Sequence, residues 1–223
     1  MGPEATVLLM QRIIDATPAT SDREHIPMLV DNNTLVPSRI DALIHGTGDS
    51  PGPVLARMAQ NLSAAGAECL IMPCNTAHHY AGDITSAADI PFLNMVKLTA
   101  KKLGEVLDGN RRVGILASPA VRIIGLFETA FNEQNLTAIY PEDDAPLLQA
   151  IEEIKNLGPV KSATMAVNQV AKDLQRREAD AVILACTEFS LLRDDLSLAI
   201  PILDTLDILT ECTVAYAVQP QAV

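Results

Sequence analysis

Tryptophan is absent from this 223-residue chain, and other aromatics are scarce, with four Phe and three Tyr. Basic residues are the minority charge: 16 Lys and Arg face 28 Asp and Glu, for a formal net charge of −12. These shortages exclude the basic stripe and stacking platforms of a nucleic-acid binder. They also exclude the basic amphipathic face of a membrane-surface protein. No apolar run approaches the roughly 18 residues of a membrane span. The opening Met1-Gly2-Pro3-Glu4 has no cationic stretch leading into an apolar one, so no secretory leader is read and a cytoplasmic location is expected. Four cysteines do not make a disulfide framework, so each thiol needs its own explanation.

What is present is globular. Hydrophobic residues make up 48% and charged residues 20% of the chain, enough for a folded core without staples. The length fits one large domain or two small ones. Short apolar runs alternate with longer amphipathic ones, the pattern of an α/β fold. Helices are expected over 4–16, 53–65, 144–156, 162–177 and 205–218, the last folding back onto the body. A further helix is expected from the end of the 112–117 run to about 132. Strands are expected over 27–31, 69–73, 112–117, 136–141, 181–185 and 201–204.

The chain echoes itself. LSAAGAECLIMPCNT at 62–76 aligns with LQRREADAVILACTE at 174–188, at a constant offset of 112. Each copy is the end of a helix, a turn, an apolar strand and a Cys at the strand's carboxyl end. This predicts two pseudo-symmetric lobes, each a small parallel sheet flanked by helices. Residues 1–98 plus 204–223 form lobe 1, and residues 99–203 form lobe 2. Such sheets bind ligands at the carboxyl ends of their strands. The second half opens with a strand before its first helix. The first half opens directly at a turn and helix, so its first strand is expected to be missing.

Cys74 and Cys186 are the leading candidates for chemistry. A lone free Cys is usually a small buried hydrophobe, and Cys69 and Cys212 are read that way. Two Cys at equivalent strand ends are read differently. A base on one face of a carbon and an acid on the other can move a proton across it, and a thiolate with a thiol supplies both. A thiol ionises near pH 8.5 unless assisted. The N-terminus of a helix following each Cys would assist ionisation. Asn75, Thr76 and Thr187 could hydrogen-bond the sulfur or a substrate carboxylate; helix N-capping is the other reading of these three.

The strings MGPEAT at 1–6, VPSRI at 36–40, IMPCNTAH at 71–78, ACTE at 185–188 and PILD at 201–204 resemble, in order, the aspartate/glutamate racemase superfamily, most closely its aspartate racemase branch. The resemblance implies racemisation of a small-molecule amino acid without cofactor or metal, by two catalytic cysteines between two α/β lobes, in a homodimer. Cys74 and Cys186 match those cysteines. Arg39 matches a substrate-binding Arg, where a cation would hold a carboxylate bidentately; a solvated surface Arg is the alternative. Lys155 approximately matches a second cation of that branch. Against a net charge of −12, an anionic substrate needs such local cations.

Departures from the family pattern bear on substrate. Ala185 replaces a Gly before the second Cys, adding a methyl beside the pocket. LASPAVR at 116–122 lacks a Thr-rich loop, leaving Ser118 as its hydroxyl. Family members begin with a strand and a Gly-Gly turn, so a truncated or mis-started chain is expected. The same superfamily includes maleate isomerase and a decarboxylase with a one-Cys site, and a non-catalytic ligand-binding relative is the reading from another class. Elsewhere, GTGDSPG at 46–52 lacks dinucleotide-fingerprint spacing. His78 and His79 lack the further ligands of a zinc site and are read as solvated or capping residues. Glu188 is read as a carboxylate at a helix start.

Overall fold

The computed structural model describes residues 2–107 and 111–218; Met1 and the end of the expected first lobe, 219–223, lie outside them. Four strands form one parallel sheet in the order β2-β1-β3-β4. They are β1 (Arg111–Leu116), β2 (Leu136–Ile139), β3 (Ala181–Leu184) and β4 (Ile202–Asp204). The two central strands are apolar on both faces. Val113 to Leu116 of β1 and all of β3 are buried, which a parallel sheet covered on both sides requires. Register runs Val113↔Ala181 through Leu116↔Leu184.

Helices cover both faces. Helices α7 (Ala145–Leu157) and α8 (Lys161–Arg176) pack on one side. On α8, Ala163, Val167, Val170, Ala171 and Leu174 recur at helical spacing and are buried. The helix comes so close that a Cβ on Gly114 would lie 3.1 Å from Leu174 and Val182. The opposite face is filled by Leu103, Phe127 and Phe131 against Val113, Ile115 and Ile183. Leu103 comes from α4 (Met95–Val106). The single helix expected after β1 is two short ones, α5 (Pro119–Ile123) and α6 (Glu128–Asn132). Gly125 separates them at φ 58°, a left-handed conformation that ends a helix.

The first half contains α1 (Pro3–Ala16), α2 (Gly52–Ala64) and α3 (Ala81–Ala87). Neither expected strand there forms a ladder among the described residues. Residues 26–30 form no strand, and Leu29 and Val30 are half-exposed. In 69–73 only Leu70 pairs, with Phe92, through Leu70 N–H to Pro91 O at 2.8 Å and Leu93 N–H to Leu70 O at 2.9 Å. The difference between the halves is physical. β1 pairs on both sides in the second half, and among the described residues 69–73 pairs only through the Leu70–Phe92 bridge. Apolar patterning marks a strand, but a ladder needs a neighbour. The last helix, α9 (Thr205–Val218), folds back as expected: Leu206 and Leu209 pack with Leu9 and Ile13 of α1 and Met95 of α4.

Candidate functional site

Cys186 follows β3 by two residues, at the carboxyl edge of the sheet. Ala185 N–H still donates to Leu116 O at 2.8 Å, so the ladder carries the chain to the residue before the sulfur. Cys74 occupies the equivalent place in the first half. Its N–H donates to Met72 O at 2.9 Å, a tight turn about Pro73. Both cysteines are partly exposed. They lie close enough that negative charge at Cys74 raises the Cys186 pKa.

A hydrogen-bond chain ties the two cysteine segments together. Asn75 Nδ2 donates to Thr205 Oγ1 at 3.0 Å, and Thr205 Oγ1 donates to Leu184 O at 2.9 Å. Thr205 is fully buried and Asn75 nearly so. Asn75 Oδ1 is buried without a partner, so one acceptor beside Cys74 remains open.

Glu188 is more than a carboxylate at a helix start. The Cys186 thiol donates to Glu188 Oε2 at 2.9 Å, and Glu188 Oε1 lies 3.6 Å from Lys155 Nζ. Burial pushes the Cys186 thiol well above its ordinary value. The Glu188 charge and hydrogen bond add to this, and Lys155 opposes it. Cys186 is therefore held as a thiol, a proton donor. Lys155, read as a substrate cation, here faces Glu188.

His78 is buried, not solvated. Its Nδ1–H donates to Cys74 O at 2.8 Å, and Met95 N–H donates to its Nε2 at 3.0 Å. Burial lowers its pKa to about 4, against the opposing pull of the Cys74 carbonyl. His79 is exposed, set edge-on to Tyr80. The helices expected to start at the cysteines are 3₁₀ turns instead, Thr76–Tyr80 and Phe189–Asp195. The first runs directly into α3, and the second is seven residues long, about two turns.

Arg39 donates from Nη1 to Pro37 O at 3.0 Å. It lies near enough to Tyr80 to oppose the upward push that burial and Asp83 give the phenol. That places the guanidinium on the Cys74 side of the site. The π-helical turn that follows it, Asp41–His45, contacts α5, so the two halves also meet there. Ser118 caps α5, its Oγ accepting from Ala120 N–H at 3.2 Å. Thr187 is buried and Thr76 half-buried beside their cysteines. The Ala185 methyl is 1% exposed and belongs to the cluster of Phe127, Phe131 and Ile183, so it fills core and not pocket.

A hollow of about 640 Å³ beside Gly104, Gln134 and Leu136 lies at the starting edge of β2, away from the cysteines, and among the described residues no ionisable side chain lines it. Among the described residues, no three His, Cys, Asp or Glu side chains are grouped to hold a metal ion, and no helix is long and apolar enough to cross a membrane.

Comparison with known proteins gives matches along almost the whole chain. The model of the Asp/Glu/hydantoin racemase family matches residues 1–213. The broad specificity amino-acid racemase RacX of Bacillus subtilis is 24% identical over 220 residues, 96% of this chain and 94% of that protein. The glutamate racemase of Persephonella marina is 27% identical over 150 residues, 67% of this chain and 57% of that protein. The structure of Picrophilus torridus aspartate racemase superposes with a TM-score of 0.84 at 27% identity, covering 97% of this chain and 90% of that one.

Proposed function

Because the chain belongs to the Asp/Glu/hydantoin racemase family, we propose that it interconverts the L and D forms of aspartate, glutamate or a close relative by two-base proton transfer between Cys74 and Cys186. The observation that carries this reading is the pair of thiols at equivalent places in the internal repeat, near enough for charge at Cys74 to act on Cys186. The α/β fold is that of the family's known structures. In one direction of racemisation, Cys74 removes the α-proton as thiolate and Cys186, held as a thiol, protonates the opposite face. The roles are then exchanged.

Charge supports an anionic substrate. Arg39 offers two parallel N–H donors, and its one hydrogen bond is to the nearby Pro37 carbonyl. The unpartnered Asn75 Oδ1 suits an ammonium group. Thr76, Thr187 and Ser118 are the hydroxyls assigned to the substrate. Lys155 is assigned to holding Glu188, which keeps its positive charge at the site without requiring direct contact. The cleft runs between lobe 1, residues 1–98 plus 204–223, and lobe 2, residues 99–203.

The test is incubation with separate L- and D-aspartate and L- and D-glutamate, followed by chiral chromatography. The expected result is interconversion in both directions for at least one pair, abolished by Cys74→Ser and by Cys186→Ser. Full racemisation by either Ser variant, or none by the unaltered protein, contradicts the reading.

A further inference from the structure

The residue four places after each cysteine occupies the same position in the pseudo-repeat: His78 and Ser190 are 112 apart, as the cysteines are. Each touches the residue at the end of the last extended segment of its half. His78 stacks on Phe92, ring centroids 5.3 Å apart at 24°. Ser190 Oγ donates to Asp204 Oδ1 at 2.8 Å. Phe92 and Asp204 are also 112 apart. Both halves thus brace the turn after the cysteine against the same neighbouring strand end, one by ring stacking and the other by a polar bond.

On the first side the brace reaches the cysteine itself. One ring nitrogen of His78 donates to the Cys74 carbonyl, and the other accepts from Met95 N–H. Met95 is the first residue of α4, and its N–H belongs to a helix start that has no intrahelical partner. Only the neutral tautomer with the proton on Nδ1 satisfies both bonds. The ring therefore links a fixed helix start to the peptide between Cys74 and Asn75. Holding that carbonyl fixes the peptide plane, and with it the direction of the Cys74 side chain and of Asn75.

We propose that His78 is a positioning residue for Cys74: by bridging Met95 N–H and the Cys74 carbonyl, it sets the direction from which the Cys74 sulfur meets the cleft. Its effect on turnover rests on the two-thiol reading above; its effect on the thiol does not. His78 reaches Cys74 through the backbone and itself moves no proton to substrate.

Two substitutions separate the two bonds of the ring. His78→Asn puts an amide N–H near the place of Nδ1 and keeps the donor to Cys74. His78→Gln puts a carbonyl near the place of Nε2 and keeps the acceptor for Met95. His78→Phe keeps the stacking and neither bond. The first readout is the rate of Cys74 alkylation by iodoacetamide, measured by peptide mass spectrometry with Cys186 as internal reference. The second is kcat and KM for racemisation.

Gln and Phe are expected to change the Cys74 alkylation rate and lower kcat by about 10-fold or more, with Cys186 alkylation and KM within about 2-fold, because a small misplacement of a reacting group costs rate more than binding. Asn, which keeps the bond to Cys74 but not the one to Met95, is expected to restore both Cys74 readouts in part. The proposal is overturned if Gln and Phe leave Cys74 reactivity at the wild-type rate, if Asn fails as fully as Phe, or if Cys186 shifts as much as Cys74. If the Phe variant does not fold, the Asn and Gln pair decides by the same criteria. A wild-type protein that does not racemise overturns the two-thiol reading, and the alkylation rates still test His78.

Discussion

Burial first, and Glu188 after it, hold Cys186 as a thiol. The Glu188 carboxylate accepts a hydrogen bond from the thiol at 2.9 Å and favours the uncharged form of the sulfur. Glu188→Gln removes the negative charge and leaves a group that can still donate to sulfur. The charged form of a thiol is the anion, so removing a neighbouring anion lowers its pKa. The profile of Cys186 alkylation against pH is expected to move to lower pH in this variant; an unmoved profile would show that burial alone holds the thiol. Cys74 and Cys186 stand out in the sequence because the repeat sets them 112 residues apart at equivalent places. Glu188 and His78 do not. Whether a side chain two or four places after a cysteine turns towards it depends on how tightly the chain winds. The turn after Cys186 brings Glu188 onto its own sulfur, and the turn after Cys74 brings His78 onto the Cys74 carbonyl. The available signal was the offset itself, since His78 and Ser190, like Phe92 and Asp204, keep the spacing of 112.

Elements follow from pattern where they are long and amphipathic. Helices α1, α2, α7, α8 and α9 lie within one or two residues of expectation, because their apolar residues recur at helical spacing and a turn or Pro stands at their ends. The first half's strands failed because alternation and apolar runs report burial, not pairing. What holds that half to the sheet is a buried polar clasp. Arg12 of α1 donates to Asp204 Oδ2 at 2.7 Å and to Ser190 O at 2.9 Å. Asp204 Oδ1 accepts from Ser190 Oγ and from Leu206 N–H. The Asp204 side chain is fully buried and that of Arg12 mostly so. Asp204→Ala leaves a guanidinium and two further donors without their acceptor. The expected loss is about 3 kcal/mol of stability, read by urea unfolding, since removing one partner of a buried pair strands the other. A loss under about 1 kcal/mol would mean that Arg12 is held well enough by Asp207, which lies 2.9 Å from it.

At the scale of the whole molecule, two unequal halves meet around the proposed reaction. One half carries a four-stranded sheet, and the other holds its cysteine with a single bridge, a 3₁₀ turn and the His78 brace. Helix α9 packs against both α1 and α4, and the Asn75–Thr205–Leu184 chain spans the gap between the cysteine segments. With a net charge of −12, the molecule repels anions in general, so the anionic substrate proposed here would need a local cation, the role proposed for Arg39. The central claim is that the proton taken from one face of Cα is not the proton returned to the other. The direct test follows the first few per cent of turnover of a protiated L-substrate in D₂O by NMR and chiral separation. Two thiols on opposite faces predict that the D-product carries deuterium at Cα while the recovered L-substrate keeps its protium. A D-product that retains the substrate's own α-proton would show a single base serving both faces, and would contradict the account.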